Sequence, residues 1–120
     1  MNTLDEKTFI RLATATLEHL DIAIEDAAQT AEIDIENTRR DKILEIEFND
    51  RSKIIINLQT PMQEIWVAAK MGGFHFRYSN ANHCWLDTRD KQELYQVVAQ
   101  LINNYTGMLL NLKSNHHGQE

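Results

Sequence analysis

The segment from Lys53 to Phe76, KIIINLQTPMQEIWVAAKMGGFHF, most constrains what this chain can fold into. Between Lys53 and Gln59, Ile54, Ile56 and Leu58 alternate with Ile55, Asn57 and Gln59. A period of two puts the first set on one face of a strand and the second on the other. Pro61 has no N–H for a ladder and ends that strand. From Gln63 to Lys70 the alternation resumes, with Ile65, Val67 and Ala69 inward and Trp66 and Ala68 outward. Met71-Gly72-Gly73 predicts a tight turn, after which Phe74, Phe76 and Tyr78 point in and His75 and Arg77 point out. The result is an antiparallel unit with one oily face and one mixed face, and a tryptophan stands on the mixed one.

The flanking sequence supplies what covers the oily face. Thr3 and Glu6 have capping-box spacing, and Phe9, Ala13, Thr16, Leu20, Ile24 and Ala27 then recur at helical intervals, so a helix is expected from Thr3 to about Ala28. Glu32 to Glu36 alternates as a half-buried strand, with Ile33 and Ile35 on one side, and Asn37 to Asp41 reads as a polar turn. Lys42 to Phe48 is a second strand with Leu44, Ile46 and Phe48 inward, closed by an Asn49-Asp50 hairpin. After the central segment, Ser79 to Asn82 turns and His83 to Leu86 forms a short last strand. Asp90 with Glu93 has capping spacing for a second helix, whose buried stripe is Leu94, Val98, Leu101 and Tyr105 and whose stop is Gly107. The fold class expected is therefore α/β (α+β): a two-layer sandwich of about six antiparallel strands, with N- and C-terminal helices on one face. The domain runs over residues 1–107. In the tail of residues 108–120, some of Met108, Leu109, Leu110 and Leu112 are expected to pack into the groove between the helices, and His116 and His117 lie in its polar end.

Length and charge narrow the function classes. A chain of 120 residues holds one domain with a real core. Its net charge of −6 argues against nucleic acid as the main partner and favours cations or basic protein surfaces. One cysteine, Cys84, excludes an internal disulfide and a CxxC site, and no base can be placed beside it to make a nucleophile. No run has the roughly 18 apolar residues of a membrane span, and the acidic start lacks a signal-peptide pattern, so a cytoplasmic location is expected. No catalytic constellation is present, and Met71-Gly72-Gly73 is too short for a phosphate loop.

Two features carry chemistry. From Leu12 to Thr38 there is no lysine or arginine, while Glu18, Asp21, Glu25, Asp26, Glu32, Asp34 and Glu36 are all expected outward. If the first helix and first strand are neighbours, these acids form one negative ridge. Such a ridge is either an ordinary solvated surface or a site for cations. Open carboxylates are hard oxygen ligands that suit hard cations, iron included, and without a cage the binding is weak and poorly selective. His19 would add a nitrogen ligand or simply sit at the surface. The second feature is Trp66 with Ile55, Asn57, Gln59, Ala68, His75 and Arg77 on the open sheet face. Either Trp66 folds down to protect the sheet, or the group is a contact patch of the aromatic-plus-arginine kind that anchors interfaces.

Several blocks at matching spacing resemble the frataxins, most closely their bacterial branch: Ser52-Lys53 through Asn57-Leu58-Gln59, Pro61, Ile65-Trp66, Gly72-Gly73-Phe74-His75-Phe76, and Trp85 with Asp87 and Arg89. The resemblance runs from about Phe9 to Thr106. It implies the same sandwich, and weak, exposed binding of iron (Fe2+ or Fe3+, with other divalent or trivalent cations able to substitute) by the ridge Glu18, Asp21, Glu25, Asp26, Glu32, Asp34 and Glu36. It implies a non-enzymatic role in iron–sulfur cluster assembly, with a cysteine desulfurase and an iron–sulfur scaffold protein as partners, the scaffold facing Asn57, Gln59 and Trp66. The chain is expected to be a monomer without iron and to have no nucleic-acid or membrane partner. A protein-interaction module with incidental metal binding is the alternative. Ala27-Ala28-Gln29-Thr30-Ala31 stands where bacterial relatives often carry a denser aspartate run, which bears on iron stoichiometry.

Overall fold

A computed structural model describes residues 4–113. The order is α1 (Glu6–Ala31), β1 (Glu36–Arg40), β2 (Ile43–Glu47), β3 (Lys53–Gln59), β4 (Glu64–Ala69), β5 (Gly72–Ser79), β6 (Cys84–Asp87) and α2 (Leu94–Thr106). The strands form one antiparallel meander in sequence order. Alternation along β2 to β5 sends Leu44, Ile46, Ile54, Ile56, Leu58, Ile65, Val67, Phe76 and Tyr78 into a single core. That core is closed by Phe9, Leu12, Ala13, Leu17, Leu20 and Ile24 of α1 and Leu94, Val98, Leu101 and Ile102 of α2. The sandwich expected from the sequence is thus the observed one, with both helices on one face and the other face open.

Local boundaries differ where a side chain outbids a pattern. Thr3 lies outside the described residues; the cap of α1 is Asp5, whose carboxylate accepts from the Thr8 N–H at 2.8 Å. Hydrogen bonding to the Thr8 side chain, and then to its N–H, holds the Asp5 pKa below the usual carboxylate value. The helix runs past Ala28 to Ala31 because the Ala27–Ala31 stretch is a good helix former, and Glu32 stops it in a left-handed conformation, φ 59°.

The first strand is not Glu32–Glu36. Ile33 and Ile35 pack against the core from the connector, and the ladder is made by the polar residues Glu36 to Arg40, so Asn37 to Arg40 are strand where the sequence predicts a turn. An edge strand is paired on one side only and tolerates polar residues, so periodicity does not mark it. The turn before β5 is Lys70-Met71, since Ala69 pairs with Gly72. Gly72 opens the strand at φ +141°, a backbone conformation side-chain-bearing residues rarely adopt.

Asp90 does not cap α2. Buried Asp87 accepts from the backbone N–H of Arg89 at 2.7 Å and of Asp90 at 3.4 Å, building a turn that delays the helix. The cap falls to Glu93, which accepts from Gln96 N–H at 3.1 Å, and Gly107 ends the helix at φ 77°. Arg89, from the same turn, donates to the Gly73 carbonyl at 3.1 Å and lies over the Phe74 ring. Beyond Gly107, Leu110 is buried and Leu112 partly so, whereas Met108 and Leu109 are exposed. His116 and His117 lie outside the described residues.

Candidate functional site

The acids of α1 do not behave alike. Glu18, Glu25 and Asp26 are exposed, while Asp21 is half-buried. Asp21 faces the inner side of β1, where Asn37 donates to its Oδ1 at 2.9 Å and Arg39 to its Oδ2 at 3.3 Å. The Arg39 guanidinium also reaches Glu18 at 3.9 Å. A cation from β1 therefore already sits among these acids, which the absence of Lys or Arg from the Leu12–Thr38 interval did not reveal.

Glu32 and Asp34 are exposed beside the end of α1. Glu36 pairs with Glu47, which faces the open side of the sheet together with Lys53, so it stands apart from the helix acids. Among the described residues, no three His, Cys, Asp or Glu side chains converge as a metal cage. His19 has Nδ1 at 2.8 Å from the Tyr95 hydroxyl and lies against that ring, so this nitrogen is engaged between the helices. What the acids can do chemically is hold hydrated cations loosely through exposed carboxylates, or meet a basic surface.

The open sheet face is more ordered. Register places Arg40, Ile43, Asn57, Trp66 and His75 in one row across five strands. Gln59, Glu64 and Arg77 form the next row. Trp66 is half-buried because its ring lies flat on His75, with centroids 4.3 Å apart and planes 6° from parallel. Asn57 and Gln59 join through Gln59 Nε2–H to Asn57 Oδ1 at 3.0 Å. Ala68 and Gly73 make a low strip beside Trp66.

Sequence reasoning missed Glu64. It points outward, yet only 3% of it is exposed. Its Oε1 accepts from Trp66 Nε1–H at 2.7 Å and lies 3.5 Å from His75 Nδ1, and its Oε2 accepts from Arg77 Nε–H at 2.8 Å. The available signal was parity: Glu64 is two residues before Trp66 and so shares its face.

A protein-family profile described as a frataxin-like domain matches residues 2–108. Among curated proteins, the iron-sulfur cluster assembly protein CyaY of Cupriavidus metallidurans is 48% identical over 113 residues, 94% of this chain and 100% of that protein. CyaY of a Janthinobacterium strain is 44% identical, covering 88% of this chain and 93% of its own length. Among solved structures, frataxin from Psychromonas ingrahamii superposes with a TM-score of 0.76 at 25% identity, covering 92% of this chain and 100% of that one. The ferrous complex of trimeric frataxin from Saccharomyces cerevisiae shares the fold, with a TM-score of 0.68 at 18% identity, covering 90% of this chain and 91% of that one. With the same sandwich, 48% identity to a CyaY protein over that protein's whole length and a profile match over nearly all of its own, this chain belongs to the frataxin family.

Proposed function

We propose that this chain is a non-enzymatic, iron-binding regulator of iron–sulfur cluster assembly. The observation that carries the reading is its similarity to the CyaY assembly proteins, one of them matched over its entire length at 48% identity. In this reading Glu18, Glu25, Asp26, Glu32, Asp34 and Glu36 supply weak, exposed carboxylates for Fe2+ or Fe3+, which other divalent or trivalent cations also occupy, while half-buried Asp21 contributes less because Arg39 already holds it. The same negative surface meets a basic patch of a cysteine desulfurase. Asn57, Gln59 and Trp66 meet the scaffold protein, and the chain tunes the rate at which the pair works. It acts in the cytoplasm, as a monomer without iron.

A second reading is a protein-interaction module whose metal binding is incidental. The pairing of Arg39 with Asp21 and Glu18 favours it, because cations must compete with a resident guanidinium there. A desulfurase assay with and without this protein, at varied ferrous iron, tests the proposal. An effect on rate that grows with iron supports regulation through iron. An iron-independent effect supports the interaction module, and no effect on rate with no binding to either partner overturns both.

A further inference from the structure

Glu64 is a buried carboxylate on the face of the sheet that otherwise meets water. Removing such a group from water is costly unless both oxygens are paired. Here both are: Oε1 takes the Trp66 indole N–H at 2.7 Å, with His75 Nδ1 3.5 Å away, and Oε2 takes the Arg77 Nε–H at 2.8 Å. These contacts tie β4 to β5, where Glu64 stands opposite Arg77 and Trp66 opposite His75. They also decide what Trp66 can offer a partner. Its single polar atom is spent inside the protein, and its ring is clamped between a carboxylate at the edge and an imidazole below.

We propose that Glu64 is a positioning residue for a protein-docking surface. It holds Trp66 as a flat apolar plate and sets beside it the Arg77 guanidinium, whose side chain is 61% exposed. The partner that fits is a protein surface presenting an aliphatic side chain to the indole face, with a carboxylate or backbone carbonyl next to it for Arg77. A plate fixed before contact loses little entropy on binding, so the gain comes from pre-organisation. The inference rests on the reading that the Trp66 face docks the scaffold protein, and it adds the residue that prepares that face.

The test uses the full chain and two readouts. The first is the indole N–H resonance of Trp66 in the free protein, assigned with Trp66→Phe. The indole of Trp85, hydrogen-bonded to Thr16 at 3.0 Å, serves as an internal control. The second readout is affinity for the scaffold protein. Glu64→Gln keeps an acceptor oxygen in place and is expected to keep the Trp66 resonance and most of the affinity. Glu64→Ala is expected to shift that resonance, speed its exchange with water, leave Trp85 unchanged and weaken binding about tenfold or more. Should Glu64→Ala fail to fold, Glu64→Leu, which fills the space without an acceptor, is read the same way. An unmoved Trp66 resonance, or unchanged affinity in a protein where Trp66→Ala abolishes binding, overturns the role of Glu64. If Trp66→Ala itself binds the scaffold as the parent does, the docking reading fails, whatever the resonance shows.

Discussion

The indole N–H of Trp85 on β6 donates to the hydroxyl of Thr16 on α1 across 3.0 Å, and both residues are buried. The same hydroxyl donates to the Leu12 carbonyl one turn earlier at 2.8 Å. Phe9 and Tyr78 meet the Trp85 ring edge-on, with centroids 5.9 and 5.3 Å away. This polar joint therefore ties α1 to β6 within a mostly apolar core. Thr16→Val preserves shape and leaves the indole N–H without its acceptor, which should cost about 1–3 kcal/mol. Thr16→Ser keeps the acceptor and should cost only about 1 kcal/mol for the lost methyl. Chemical denaturation of the pair checks this, and equal losses would show that the hydrogen bond contributes nothing.

The contrast between β3 and β1 shows what the sequence can reveal. In β3 every second residue is buried, so Ile54, Ile56 and Leu58 announce both the strand and its inner face. The same rule correctly placed Ile65 and Val67 inward and Trp66 outward in β4. It failed at Glu36–Arg40, where an edge strand carries polar residues on both faces and its position is fixed by pairing with β2. The site is less legible for the same reason. That Glu64 meets Arg77 depends on the β4–β5 register, and that Arg39 meets Asp21 depends on where β1 passes α1. Both are contacts between residues distant in sequence, invisible to a window of local spacing.

The tail gives a prediction with an internal control. Leu110 is 5% exposed and belongs to the core, whereas its neighbour Leu109 is 66% exposed. Leu110→Ala should therefore lower stability by about 2 kcal/mol or more. Leu109→Ala should change it by no more than about 0.5 kcal/mol. Equal effects in thermal or urea denaturation would mean that the tail after Gly107 does not hold this packing in solution.

Cys84 is half-buried, and burial, with a smaller contribution from nearby Glu93, pushes its thiol above the ordinary value of 9.0. The thiolate is the reactive form, so burial keeps Cys84 a poor nucleophile at pH 7. Alkylation by iodoacetamide should be slow in the native protein at pH 7, faster in urea, and should climb as pH passes 9. Burial also raises Tyr78 above 10.0. The folded chain then keeps protons that the unfolded chain releases, so stability should fall as pH rises above about 9. Native labelling at pH 7 as fast as in urea would show that Cys84 is open to solvent.

The ridge should separate into structural and cation-binding acids. Asp21 accepts from Asn37 and Arg39 and thereby ties α1 to the edge strand, so Asp21→Asn should cost about 1 kcal/mol of metal-free stability through the weakened charged contact. Glu25 and Asp26 are exposed on the same helix, and Glu25 lies one turn from the like-charged Asp21, a spacing at which like charges destabilise. Replacing both with Gln and Asn should leave metal-free stability equal or slightly higher. If ferrous iron binds at the ridge as proposed, it should favour the folded ridge over the dispersed acids of the unfolded chain and raise the melting temperature of the parent. The Glu25→Gln, Asp26→Asn variant should lose much of that rise, and Asp21→Asn should keep most of it, because the Asp21 carboxylate is already committed to Arg39. Anaerobic thermal melts of the three proteins across an iron series provide the measurement. If Asp21→Asn abolishes the iron response while the double variant retains it, iron displaces Arg39 and binds between α1 and β1, and the exposed acids have no part in holding it.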